Sequence, residues 1–329
     1  MNVQPDHHDH HDHHSPSGDA APRIVVLGSL NMDLVLRVPH APAAGETLAG
    51  HCMTAIAGGK GANQAVSSAR AGGRVSMIGC VGDDPHGQVL RDALHRDGID
   101  TTALRTVPGE PTGTALILVE DNGQNRIVIL AGANARLRID EAALRQQLQG
   151  AAFLVAQFES PMAQVERAIV LAHEAGCKVM LNPSPVRAIG APLWPCIDTL
   201  VVNEIEAQAL SGQAAGSPRE AALAGHALRA LGARRVVVTL GEHGAVAIDA
   251  DGARHHPALP VKAIDTTAAG DTFLGTLAVA LGQGHGLDAA VRLGIRAAAL
   301  CIQQLGAQPS IPRQRDVLRS PLPADWTPL

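Results

Sequence analysis

The feature that most limits how this chain can fold is a short apolar run, repeated along the sequence, that ends in a glycine or a polar residue before a helical pattern begins. Ile24-Val25-Val26-Leu27 runs into Gly28-Ser29, and the stretches 75–79, 152–156, 178–181, 199–202 and 235–239 repeat the pattern. Runs so short and continuous read as parallel strands buried on both faces, because alternation disappears when neither face meets water. Apolar residues at helical spacing lie between or after them, around 86–97, 139–149, 161–175, 204–211, 218–231 and 287–304. Strands alternating with helices imply an α/β fold, a Rossmann-like and mostly parallel sheet with helices on both faces.

Two stretches break the alternation. Residues 34–57 are loosely alternating and punctuated by Pro39, Pro42, Gly45 and Gly50, and Thr114–Glu120 meets Arg126–Leu130 across a Gly-containing turn, which predicts a hairpin. Together they predict a small β-sheet lid over the ligand site. The expected division is 22–33, 58–112 and 132–329 for the core, and 34–57 with 113–131 for the lid. Residues 1–21, where His7, His8, His10, His11, His13 and His14 alternate with Asp6, Asp9 and Asp12, can bind transition metals but cannot form a core, and read as a disordered tail.

Within that frame the stretch Asp265-Thr266-Thr267-Ala268-Ala269-Gly270-Asp271-Thr272-Phe273 is a strand-to-helix junction carrying a carboxylate. The first turn of a helix offers unpaired N–H groups and the positive end of the macrodipole, and Ala268, Ala269 and Gly270 have no bulk to keep an anion away. Asp271 at such a place is either a helix cap or a base that takes a proton from an attacking hydroxyl. A second glycine-rich stretch, Gly58-Gly59-Lys60-Gly61-Ala62-Asn63-Gln64-Ala65, allows close ligand approach and brings Lys60 and Asn63 as donors; Gly after the Lys excludes a P-loop. Polar residues recur past strand ends, at Asn31 and Asp33, Glu159, Asn182, and Asn203 with Glu206. Thr239-Leu240-Gly241-Glu242-His243-Gly244 ends a strand in a glycine turn suited to a nucleotide. Open α/β sheets bind ligands at that edge.

Other classes are excluded on composition. A net charge of −5, no Tyr, three Phe and two Trp leave neither a basic surface nor a stacking platform for nucleic acid. The first strand lacks the glycine fingerprint of a dinucleotide oxidoreductase. Cys52, Cys80, Cys177, Cys196 and Cys301 are scattered, with no Cys-x-x-Cys, and no apolar run reaches membrane-spanning length, so a cytoplasmic protein with no membrane partner is expected.

The stretch Gly28–Asp33, the Gly58–Ala65 loop, Asn203 with Glu206, and Asp265–Phe273 resemble the motifs of the ribokinase family of sugar kinases, in order and spacing from about residue 23 to 318. The resemblance implies a ribokinase-like fold and ATP-dependent phosphorylation of D-ribose at its 5-hydroxyl, by direct in-line transfer. It implies Asp271 as the base, with the N–H groups from Ala268 and Ala269 through Gly270 to Asp271 as an anion hole. Asn31, Asp33, Gly59, Lys60, Asn63 and Glu159 would hold the sugar. Thr239, Gly241, Glu242 and Gly244, with Asn203 and Gly270, would line the ATP site, and Asn203 and Glu206 would position Mg²⁺ through water. Asp265, Thr267, Cys301, Gln304, Gly306 and Ser310 fall where the family binds an activating monovalent cation, K⁺. A homodimer through the lid follows by the same analogy. The chain departs from the pattern at Ile295-Arg296, where the family often has an Asn near the adenine, and at Leu274 in place of a polar residue. A kinase of a related sugar or nucleoside (deoxyribose, fructose, pseudouridine) and a non-catalytic sugar-binding protein are the alternative readings.

Overall fold

The structure, a computed structural model, describes residues 21–329, so the tail expected for residues 1–21 lies, but for Ala21, outside the described residues. The chain opens with β1 (Arg23–Leu27), β2 (Asn31–Val38) and β3 (Cys52–Gly58), followed by α1 (Lys60–Arg70), β4 (Arg74–Gly82), α2 (Pro85–Arg96) and β5 (Leu104–Val107). The hairpin of β6 (Thr114–Glu120) and β7 (Asn125–Leu130) follows, then α3 (Glu141–Leu148). Next come β8 (Phe153–Gln157), α4 (Met162–Glu174), β9 (Lys178–Asn182), β10 (Thr199–Asn203), α5 (Glu204–Ser211), α6 (Pro218–Ala230) and β11 (Arg235–Thr239). The antiparallel strands β12 (Ala245–Asp249) and β13 (Gly252–His256) precede α7 (Ala269–Gly282), α8 (Leu287–Cys301), α9 (Gln314–Arg319) and a two-residue β14 (Thr327–Pro328).

Ten strands form the main sheet in the order β14-β13-β12-β11-β10-β9-β8-β1-β4-β5. From β11 to β5 neighbours run parallel, and from β11 to β14 they run antiparallel. The apolar runs are buried on both sides, so consecutive residues feed different cores. Val25, Leu27, Leu154, Ala156, Val179 and Leu181 pack with α3, α4 and α6 on one face. Ile24, Val26, Phe153, Val155 and Met180 pack with α1, α2, α7 and α8 on the other. Each such side chain removed from water contributes on the order of 1.5–3 kcal/mol, which is why register is firmly held.

Register aligns the strand ends. Leu27 sits beside Ala156, Gln157 beside Asn182, and Asn203 beside Thr239. The residues just beyond therefore share one edge of the sheet. A second sheet, ordered β3-β2-β6-β7, stands at that edge. Its strand β2 begins at Asn31, paired with Gly58 at the end of β3, so Asn31 and Asp33 are fixed by strand pairing. The antiparallel β12, β13 and β14 went unread in the sequence: no α-helix separates β12 from β11 or from β13, β13 carries no apolar run, and β14 has two residues.

Candidate active site

Helix α7 starts at a strained corner. Its N-cap, Ala268, has φ of 61°, the one positive φ on a non-glycine residue among the described residues, a conformation that costs about 1–2 kcal/mol for a residue with a Cβ. That corner leaves the N–H groups of Ala268, Gly270 and Asp271 without an acceptor among the described residues, while the Ala269 N–H donates to the Thr266 carbonyl at 3.2 Å. Asp271 is no cap. Its carboxylate accepts from Asn63 Nδ2 at 3.0 Å and from Gln64 Nε2 at 2.9 Å, both on α1. Burial pushes the Asp271 carboxyl up, against the opposing pull of Lys60, Asn63 and Gln64. Helix α1 comes close enough to make these bonds because Gly275, one turn after Asp271, presents no side chain: a Cβ there would lie 2.5 Å from Ser67 Cβ and 2.8 Å from the Gln64 carbonyl.

The turn from Thr266 to Asp271 is a wall between two cavities. On one side lies a cavity of about 650 Å³ that brings together Asn31, Asp33, Gly59, Lys60, Asn63, Glu159 and Asp271. Isoleucines of the second sheet, Ile117, Ile127 and Ile129, line it on the side of that sheet. Gly59 has φ of 91° and passes so near β2 that a Cβ would lie 2.6 Å from the Asn31 nitrogen; no other residue type fits between the sheets there. Glu159 accepts from Ser29 Oγ at 2.5 Å, and Asn63 Oδ1 is buried with no donor among the described residues. Burial, then Glu159 and Asp271, push the Asp33 carboxyl up to about 7. Burial pulls the Lys60 ammonium down, yet Asp271, Glu159 and Glu206 outweigh it and hold the group above its ordinary value. A cavity of carboxylates and amide oxygens around one ammonium suits a neutral molecule rich in hydroxyl donors.

On the other side of the turn is a cavity of about 980 Å³, which brings together Asn203, Thr239, Gly241, Glu242, Gly244 and Gly270. Its far wall is apolar, with Ile295, Ala298, Ala299 and Ile302. Gly270 faces open space, with no atom within 4 Å of where its Cβ would be. Asn203 and Glu206 form a reciprocal capping box on α5: Asn203 Oδ1 accepts from the Glu206 N–H at 2.8 Å, and Glu206 Oε2 accepts from the Asn203 N–H at 3.1 Å. Asn182 Nδ2 adds a contact to Glu206 Oε2 at 3.4 Å. Arg296 lies off this wall, bound to Ser320 through Oγ at 3.1 Å and the carbonyl at 2.6 Å.

The pattern of the pfkB family carbohydrate kinases matches residues 21–314. The chain belongs to that family. The ribokinase of Haemophilus influenzae is 40% identical over 298 residues, which are 90% of this chain and 97% of its own length. The mouse ribokinase is 36% identical, over 91% of this chain and 94% of its own. The Arabidopsis thaliana ribokinase solved with ribose and ATP superposes with a TM-score of 0.86 at 32% identity, over 91% of this chain and 98% of that one.

In this pfkB kinase fold a further cluster lies behind α7. Asp265 Oδ1 accepts from the Thr267 N–H at 2.9 Å and Oγ1 at 2.6 Å, and its Oδ2 accepts from the Gly306 N–H at 2.8 Å. Burial would raise this carboxyl, but the bonds from Thr267 and Gly306 hold it below the ordinary range. The Cys301 thiol lies 3.7 Å from the Thr267 carbonyl and 3.0 Å from Ser310 Oγ; Gln304 joins through its N–H, 3.1 Å from the Cys301 carbonyl, with its side chain exposed.

Three residues around the kinase site went unread in the sequence. Gln64 shares the bond set of Asp271, and is itself held by Gln157 Nε2 at 2.5 Å. Asn134 donates to Asn31 Oδ1 at 2.9 Å and thereby turns the Asn31 amide N–H groups free of that contact. The buried Ser160 Oγ lines the smaller cavity without a partner among the described residues. Gln64 had one available signal, its place beside Asn63 in the glycine-rich stretch; Asn134 and Ser160 had none.

Proposed function

We propose that this kinase transfers the γ-phosphoryl of ATP directly to the 5-hydroxyl of D-ribose, giving D-ribose 5-phosphate and ADP. The observation that carries the reading is the Thr266–Asp271 turn standing as the wall between a polar cavity and a larger, partly apolar one, with a buried carboxylate on one side and free N–H groups at its helix start. Asn31, Asp33, Gly59, Lys60, Asn63 and Glu159 hold the sugar, and the orphaned Asn63 Oδ1 is an acceptor for one of its hydroxyls. Asp271 takes the proton of the attacking hydroxyl, and the N–H groups of Ala268, Gly270 and Asp271 receive the oxygens of the phosphoryl in flight. Gly241, Glu242, Gly244 and Thr239 line the nucleotide side, with Ile295 offering the adenine an apolar contact. The second sheet serves as the lid, keeping water from the transfer.

Mg²⁺ and K⁺ belong to the same reading. Among the described residues no three His, Cys, Asp or Glu side chains form a metal cage, so Mg²⁺ comes with the nucleotide phosphates. The capping box occupies Glu206 Oε2 and leaves Oε1 for a metal-bound water, which fits a water-mediated site at Asn203 and Glu206. Bound there, Mg²⁺ supplies positive charge to the phosphate oxygens. The ionised Asp265 ties together two loops through Thr267 and Gly306, and a monovalent cation held beside it, with Cys301, Gln304 and Ser310 as neighbours, would supply charge behind the helix start. The outer edge strand β7 is exposed throughout, which supports a homodimer through the lid. None of the five cysteines is paired, which supports a reducing, cytoplasmic setting; no helix among the described residues is long and apolar enough to cross a membrane.

The test is ADP release with MgATP and K⁺ over a panel of ribose, deoxyribose, fructose, adenosine and pseudouridine. Turnover on ribose well above the others is expected. Preferred turnover on another member moves the substrate, and none on any, from folded protein, overturns the reading.

A further inference from the structure

A third cavity, of about 380 Å³, lies between the β4–β5 edge of the main sheet and α3, and shares no lining residue with the two described above. Its volume is within the range of roughly 300–1,000 Å³ that small-molecule sites occupy. Ile78, Leu137 and Leu144 give it an apolar floor, and Arg105 and Arg138 stand on its rim. Neither arginine is in an ion pair among the described residues. Arg105 donates to the Arg136 carbonyl and Arg138 to the Leu137 carbonyl at 2.8 Å, which leaves most of the donors on each guanidinium uncommitted. The one carboxylate on the lining, Asp140, is committed to the start of α3, where it accepts from the N–H groups of Ala142 and Ala143 at 3.0 and 3.1 Å. Gln147, also on the lining, has its Oε1 buried with no donor among the described residues.

An exposed arginine alone says little. Two that flank one concave site with no acid paired to either, beside a buried acceptor with nothing to accept, call for a ligand with two different ends. A guanidinium fork matches a phosphate, and the amide oxygen requires a donor such as a hydroxyl. We propose that this cavity binds a phosphorylated small polyol, with its phosphate on Arg105 and Arg138 and a hydroxyl donating to Gln147 Oε1. Naming ribose 5-phosphate as an occupant rests on the function proposed above; the site itself does not.

Hydrogen–deuterium exchange and calorimetry on the full chain test it, with ribose 5-phosphate, inorganic phosphate and ribose as probes. Ribose 5-phosphate is expected to slow exchange across 102–105 and 137–147, inorganic phosphate to do so at higher concentration, and ribose not at all. The double variant Arg105→Ala/Arg138→Ala should bind at this site about tenfold or more weakly, with unchanged turnover. Gln147→Leu should bring ribose 5-phosphate down to the affinity of inorganic phosphate. No protection of these segments by any probe, or protection that survives the double variant, overturns the site; indifference to Gln147→Leu overturns the hydroxyl contact. A chain that fails to phosphorylate ribose but shows this protection keeps the site and loses only the proposed function, and the converse result separates the two the other way.

Discussion

Gly270 and Asp33, both near Asp271, are proposed to answer to the ligand rather than to the fold, and each carries a test. A methyl at position 270 meets no protein atom within 4 Å, so Gly270→Ala should fold with an unchanged melting temperature. That methyl points into the space assigned to the phosphoryl, and kcat should drop by about tenfold or more; thermal melts and steady-state rates check both halves. Asp33 carries a stability cost. Below its ordinary value of 3.8 the carboxyl is protonated in both the folded and unfolded chain and costs nothing. As pH rises toward the folded value of about 7, the unfolded chain ionises first and the fold loses stability, at about 1.4 kcal/mol per unit of difference, up to a plateau above it. Asp33→Asn should therefore raise the melting temperature of the ligand-free protein, more at about pH 8 than at about pH 4; an equal gain at both contradicts the raised pKa. Residues of this kind were legible where chemistry and local pattern coincide, as at Asp271 and Lys60. Asn134 was not, because its meaning is a contact with Asn31 across 103 residues of chain.

The pairing of α1 with α7 sets the surroundings of Asp271, the proposed base. The two helices touch through Ser67 and Gly275, and the contact sets the distance from Asn63 and Gln64 to the carboxylate. Gly275→Ala has to push against the Gln64 carbonyl, which cannot give way as a side-chain tip can. A loss of about 1–3 kcal/mol in stability, together with lower kcat, is the expected result; denaturant melts and rates read it, and a silent variant would show that the helices are free to part. The second sheet makes the other element-scale claim. Its edge strand leaves Val128 56% and Leu130 62% exposed, on an edge with unpaired backbone groups. If the dimer forms there, Val128→Arg with Leu130→Arg should yield a monomer in sedimentation at a concentration where the unaltered chain is a dimer. This hairpin was legible from its Gly-containing turn between two apolar runs, while the place of its isoleucines over the smaller cavity was not.

At the scale of the whole molecule, the strand ends meet at one edge of a parallel sheet, and the corner before α7 divides the space there in two. The parallel part was readable because a strand buried on both faces leaves a continuous apolar run followed by a helix; in the antiparallel extension β12 keeps such a run but has no α-helix between it and its neighbours, and β13 and β14 lack the run. The division of the space was not readable at all, since it depends on how Ala268 turns and on what stands on either side. Whether Asp271 acts across that corner is read most directly by kcat of Asp271→Asn with ribose and MgATP, paired with ribose binding by calorimetry. A fall in kcat of about a hundredfold or more with ribose affinity largely kept is the predicted result. A variant that turns over near the original rate would contradict the assignment of the base, and with it the reading of the corner as the site of transfer.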